Sequence, residues 1–295
     1  MLFDQPIPFA EALASRRLKA LLPTTASSRD LARLPAEIRE RAMFSARTAS
    51  ASHLARIDSI VNQILDPKTV YDPATGQTRP ARPGEHMSEP RAREIIRASL
   101  RSIGYDPADI DAAPGSLKDL ASERRIRVIL DTNADMARGY GQFKQGQTTA
   151  ILDQWPAQEL VRIQSRQERR NWHETWRGAG GKVYSGAGLD GRPGRLVALK
   201  NDPIWSRISI FGLPYPPFDW NSGVGLDDVD RDDAVALGLI DRDRQIQPQD
   251  RPFNQGVQAA PPAHPQRQST LFAAILQALG NRVFFDGQTL NFRPT

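Results

Sequence analysis

Cysteine is absent from the 295 residues, and histidine occurs four times. The first absence excludes disulfides, zinc fingers, iron–sulfur sites and thiol nucleophiles. The second leaves little for an imidazole-ligated metal site, because His53, His86 and His264 lie far along the chain from His173, in predicted helix or linker. No run of about 18 apolar residues exists, so no membrane-spanning helix is expected. The opening stretch MLFDQPIPFAEAL carries Asp4 and no basic leader region, so it does not read as a secretory signal. The chain is therefore expected to be made and kept in a cytoplasm, or assembled there into something larger.

Lysine is scarce as well, and the basic residues are almost all arginine. Arginine favours two-pronged contacts to phosphate or carboxylate, although a GC-rich genome encodes the same bias. The net charge of +5, from 39 basic and 34 acidic residues, is a weak pointer to a polyanionic partner.

Proline (23) and glycine (21) are plentiful and clustered, which predicts compact pieces joined by long connections. An α+β chain is expected, with a mainly helical N-terminal half, a small β-rich unit, an extended arm and a C-terminal helix plus β-hairpin. The boundaries read as follows: N-terminal helices over 1–67, a linker over 68–92 and a helical segment over 93–150. A small β-containing unit covers 151–240, a Pro/Gln-rich arm 241–269, and a helix and hairpin 270–295.

Residues 8–24 read as a short amphipathic helix closed by Pro23. A second helix is expected to start near Ser27 or Ser28 and, from Leu34, to run on to Pro67, because Met43, Ala46, Ser50, Leu54, Ile57, Val61 and Ile64 recur at spacings of three and four. Ser88 caps a helix that runs to about Ile103, and Ser116 is expected to start another. Ile126, Ile129, Met136, Tyr140 and Phe143 continue a helical stripe, with Gly139 and Gly141 weakening it or allowing close approach. ELVRIQSR (159–166) alternates like a strand. Asp286-Gly287 marks a two-residue hairpin turn.

The segment SRQERRNWHETWRGAGG (165–181) has the texture of an active site. A zinc peptidase needs H-E-x-x-H, yet Arg177 stands where the second ligand belongs. Gly181-Lys182 is followed by Val183, which breaks the phosphate-loop pattern. GAGLDG (186–191) matches G-x-G-x-x-G, but RPGR follows it and cannot open a helix, so it reads as a turn. Asp228, Asp230 and Asp232 have calcium-loop spacing without the glycine at the sixth position or the acid at the twelfth. No G-x-S-x-G is present. These failures point to no catalytic, cofactor or metal residue, and His173 is expected to be structural.

Charge geography remains. Arg162, Arg166, Arg169, Arg170, Arg177 and Lys182 form a basic strip with Trp172 and Trp176 interleaved. Such a strip suits a nucleic-acid backbone, with the tryptophans stacking on bases. The alternative is that the tryptophans are core anchors and the arginines pair with residues 219–251, where nine acids face four arginines.

Several segments in order resemble the phage Mu F-like minor head protein (phage head morphogenesis protein) family. PFAEALASRRLKALLPT and RAMFSARTASASHL look like its opening helix, its LPT turn and its long second helix. RIRVILDTNADMARGYGQF (125–143) is similar to its basic–hydrophobic helix with a central T-N pair, here Thr132-Asn133. Arg170, His173, Gly180-Gly181, Asp202-Pro203-Ile204-Trp205 and Pro216-Pro217 follow the order of its small β-rich unit. The family's closing C-R-C step is missing, and DWNSGVG stands there instead, which removes any cysteine-dependent feature. The resemblance covers roughly residues 8–240.

That resemblance implies a virion structural protein without enzymatic activity, acting in head morphogenesis near the portal. Implied partners are the portal and/or major capsid protein, and non-specific contact to packaged double-stranded DNA. The chain is then multi-copy within a larger assembly, with no membrane partner and no cofactor. Its location is the phage head, assembled in the host cytoplasm. Two rivals remain: a nuclease or toxin-like effector enzyme on the same scaffold, and a non-specific DNA-binding module.

Overall fold

The structure is a computed structural model. It describes residues 10–17, 19–31, 36–66, 69–72, 77–80, 87–110, 112–249, 258–259, 283–285 and 290–292. The fold is α+β, as expected. The chain forms two compact units, one of Met1–Ala137 with Pro252–Thr295 and one of Arg138–Arg251.

In the first unit α1 (Ala10–Arg17) ends before Pro23, because β1 (Ala20–Leu21) follows it. Next come α2 (Ser28–Leu31), α3 (Ala36–Arg41) and β2 (Ala42–Met43), which pairs parallel with β1. The single helix expected from Leu34 to Pro67 is therefore broken. The backbone at 42–43 exchanges helical bonds for pairing with β1, and Leu22 N donates to Met43 O at 2.9 Å. Arg47 then turns the chain at φ 60°, a left-handed conformation that a helix interior does not hold.

A new helix, α4 (Ala51–Leu65), starts where the Ser50 hydroxyl accepts from His53 N. Its Leu54, Ile57 and Val61 are buried, as the stripe predicts. Met43 and Ala46 are buried too, but on a strand and a turn. The linker expected over 68–92 contains β3 (Thr69–Asp72) and β4 (Gln77–Pro80), an antiparallel pair. Ser88 caps α5 (Glu89–Ser102), and Ala92, Ile96 and Leu100 join the core with α4.

Ser116 starts no helix. The Asp119 carboxylate accepts from Gly115 N and Ala121 N, each at 2.9 Å, and holds the segment in turns. The helix α6 (Glu123–Gly146) begins instead at Ser122, whose hydroxyl accepts from Arg125 N at 3.2 Å. Ile126, Ile129, Tyr140 and Phe143 are buried along it, and Met136 is half-buried. The division between the units falls within this helix.

In the second unit α7 (Thr149–Gln154) precedes β5 (Ala157–Arg162), the strand read at 159–166. Then come α8 (Trp172–Gly178), the hairpin of β6 (Tyr184–Ala187) and β7 (Pro193–Arg195), and β8 (Val197–Leu199). The helical turn α9 (Ile204–Arg207), β9 (Val224–Val229) and α10 (Arg231–Ala236) complete it. The sheet order is β8-β5-β9, antiparallel throughout. Gly139 of α6 lies flat against the Pro216 carbonyl, so a Cβ there would overlap that backbone. Of the two roles open to this glycine, the close approach is the one seen.

Residues 241–249 of the arm carry neither helix nor strand. The rest of the arm lies outside the described residues, except β10 (Gln258–Ala259), as does the helix expected at 270–280. The C-terminal hairpin is β11 (Val283–Phe285) with β12 (Leu290–Phe292), and β10 pairs with β12. Its register pairs Phe285 with Leu290, and the turn expected at Asp286-Gly287 lies outside the described residues. Among the described residues no helix is long and apolar enough to cross a membrane.

Candidate functional site

The segment singled out in the sequence, 165–181, folds around α8. Asn171 caps this helix, with its amide oxygen accepting from Glu174 N and its nitrogen donating to Glu174 Oε2 at 3.1 Å. The Glu174 carboxylate thus holds the Asn171 side chain in its capping position, which gives Glu174 a structural task. His173 is buried, and its Nε2 donates to Gly194 O at 3.0 Å. The carbonyl can only accept, so Nε2 carries the proton and fastens α8 to the β6–β7 hairpin.

Trp172 and Trp176 are 2% and 1% exposed, which places them in the core and removes them from any base-stacking role. The Trp176 indole N–H donates to Lys182 O at 2.8 Å. A Cβ at Gly181 would collide with the Trp176 ring, so the GAGG stretch is a bed for an indole. Around Trp176 lie Trp205, with ring centroids 5.2 Å apart, and Phe218, which stacks on Trp205 at 6.1 Å. Asp202 accepts from Ile204 N at 2.7 Å and so starts α9, while the Trp205 N–H donates to Leu199 O at 2.9 Å.

The arginines divide. Arg162 grips Asp190 with Nε and Nη2, both at 2.9 Å, and gives Nη1 to Ser222 O at 2.7 Å. Arg169 also faces Asp190, at 3.5 Å. Arg170 pairs with Asp219 and donates to Trp220 O at 2.7 Å. Arg166 is half-buried, donates to Gln164 and packs on Gly223. Arg177 is exposed, and Lys182 sits over the Tyr184 ring at 4.8 Å.

The strip is thus not one continuous free basic surface. Arg162, Arg169 and Arg170 are pinned by two carboxylates, and only Asp219 belongs to the acidic segment expected to supply partners. Asp190 was not legible in the sequence. It sits in the turn after Gly188 at φ 60°, a conformation that Asp tolerates better than most residues. Its carboxyl is held below the usual range, first by the hydrogen bond from Arg162, against the opposing effect of burial. Burial raises the Asp219 carboxyl, and Arg170 opposes this.

The acidic run DDVDRDD does not converge on one point. Asp228 pairs with Lys200 at 2.7 Å and Asp230 caps α10 by accepting from Asp233 N at 2.8 Å. Asp232 pairs with Arg242 at 2.9 Å and Asp233 with Arg195 at 3.5 Å. Trp220, which carried no expectation, is the exposed tryptophan of this region, with its ring held edge-to-face by Phe211 at 4.8 Å.

Replacing Asp190 by alanine is expected to destabilise the second unit by about 2 kcal/mol, because Arg162 loses a charge-assisted partner in a partly buried place. Asp190→Asn should cost about half as much, since it keeps one acceptor. Urea unfolding followed by tryptophan fluorescence checks both. Equal midpoints for wild type and Asp190→Ala would show that the fork is not holding the turn.

In the first unit the residues of the T-N pair have their own role. Arg16 of α1 is buried, pairs with Asp58 of α4 and donates to Asn133 Oδ1 at 3.2 Å. Asn133 in turn donates to Ile129 O at 2.9 Å. Nη1 and Nη2 are matched in this way and tie three helices at this point, while the buried Nε has no partner among the described residues. Burial lowers the affinity of Arg16 for its proton, and Asp58 counters this.

No family model, no curated protein and no solved structure matches this chain.

Proposed function

We propose that this chain is a phage minor head protein, a virion structural component that acts by binding during head morphogenesis near the portal. One observation carries this reading. Residues picked out by their order along the chain, His173, Gly181, Trp205 and Pro216, lie in one small unit, and each has a structural task there, against Gly194, Trp176, Leu199 and Gly139 in turn. Arg16 and Asn133, from the segments similar to the family's opening helix and T-N helix, likewise meet across 117 residues. An order of weak motifs that closes into contacts supports a shared scaffold more than any single motif does.

On this reading the partners are portal and major capsid subunits. Packaged DNA is contacted without sequence preference through the exposed side chain of Arg177. The test is co-expression of the tagged chain with portal and major capsid proteins from the same phage, followed by sedimentation and mass spectrometry of the particles. The chain should travel with heads in several copies per particle and remain after a high-salt wash. Its absence from heads, with head assembly unchanged when its gene is deleted, would remove the assignment.

A further inference from the structure

A cavity of about 330 Å³ opens within the Arg138–Arg251 unit. One wall is a face of the three-stranded sheet. Side chains alternate along a strand, and the register Gln158↔Asp228 and Leu160↔Leu226 sets Gln158, Asp228 and Leu226 on the same face. Lys200 follows β8 and lines the same cavity. The facing wall is the end of α6, with Phe143, and the Tyr215-Pro216 stretch.

Two side chains here have unspent bonding capacity. Lys200 is 4% exposed, and its ammonium meets Asp228 Oδ1 at 2.7 Å. A lysine has three N–H groups, so that pair leaves two. Gln158 is 9% exposed, and among the described residues its carboxamide has no hydrogen-bond partner. Its carboxamide atoms are not sealed from solvent, so the group faces the open cavity and is available to a ligand there.

We propose that this cavity binds an uncharged nucleobase, free or as its nucleoside. The charge argument comes first. Lys200 and Asp228 cancel, so a ligand of either net sign meets one like charge at close range. An anion is disfavoured further by the C-terminal pole of α6, whose last residue, Gly146, lines the cavity. A 5′-phosphate is therefore not part of the preferred ligand.

The polar pattern narrows the class. The Gln158 carboxamide offers a donor and an acceptor side by side, the arrangement that pairs with an adjacent acceptor and donor on a base edge. The Lys200 N–H groups add donors for a ring nitrogen or carbonyl. Phe143 and Tyr215, with centroids 5.6 Å apart, supply apolar contact beside these groups. The volume falls at the lower end of small-molecule sites, roughly 300–1,000 Å³, which suits a nucleoside.

The test uses the full chain and calorimetric titration with adenosine, guanosine, cytidine and thymidine, each beside its 5′-monophosphate. At least one nucleoside should bind saturably, with its monophosphate several-fold weaker. Gln158→Met keeps the side-chain length and removes the carboxamide, so it should weaken that nucleoside by about tenfold while leaving the unfolding midpoint unchanged or higher. If the variant does not fold, wild-type NMR replaces it, and the Gln158 side-chain amide signals must shift on titration. No saturable binding at millimolar nucleoside overturns the proposal. So does a monophosphate that binds more tightly than its nucleoside, or a folded Gln158→Met protein with unaltered affinity. None of these outcomes depends on whether the chain enters a phage head.

Discussion

Trp205→Ala should lower the unfolding free energy of the second unit by about 3–5 kcal/mol. Trp205 is 0% exposed and lies between Trp176 and Phe218. Removing the indole deletes both ring contacts and leaves a cavity that its neighbours only partly fill. It also removes one of two hydrogen bonds to Leu199 O, which accepts from the indole N–H and from Asp202 N, each at 2.9 Å. Trp205→Phe keeps much of the apolar volume and loses the hydrogen bond, so about 1–2 kcal/mol is expected. Urea denaturation of the two variants separates the packing contribution from the polar one. A loss under about 1 kcal/mol for Trp205→Ala would mean that the aromatic cluster does not organise this unit.

Acid should destabilise the first unit by roughly 3 kcal/mol through His53 alone. The side chain is 1% exposed, with Nδ1 3.0 Å from the Ser99 hydroxyl, and burial lowers its pKa to about 4. In the unfolded chain the same imidazole titrates near 6.5. Between these values the unfolded state binds more protons, so stability rises with pH across that window. The contribution is complete above about 6.5 and is lost as pH falls toward 4. Carboxylates titrate over part of the same range, so the measurement is a difference. Unfolding free energies at pH 7 and pH 4.5 are compared for wild type and His53→Phe. The wild type should lose more between the two conditions, and equal losses would show that His53 charges freely within the fold.

Helices with a local start signal were legible. Ser88 begins α5 because one hydroxyl satisfies a backbone donor from three residues away, and the α6 stripe at Ile126, Ile129, Tyr140 and Phe143 needs only the helical period. The helix expected over 34–67 was misread for a definite reason. Ala42-Met43 has helical spacing, yet it is bound to Ala20-Leu21, and no local pattern carries that pairing. Ser116 failed similarly, because Asp119 engages the turn before a helix can form.

The broken spacing of HETWR and the glycine-rich turn at 186–191 were decided within a few residues of sequence. Their structural counterparts are the bond from His173 to Gly194 and the β6–β7 hairpin that the turn joins. The fate of the basic strip was not decided locally. Asp190 lies 28 residues from Arg162, and nothing in its neighbourhood marks it as a partner.

The sequence by itself determined the α+β class, the Ser88 helix cap and the failure of each metal or phosphate motif. Each rests on covalent geometry or on groups a few residues apart. Tertiary structure alone decided which arginines are pinned and which tryptophans are buried. It also decided that Gln158 and Lys200 share a cavity with Phe143. Those outcomes depend on register and on contacts between distant segments, where burial changes what a charge or a carboxamide costs.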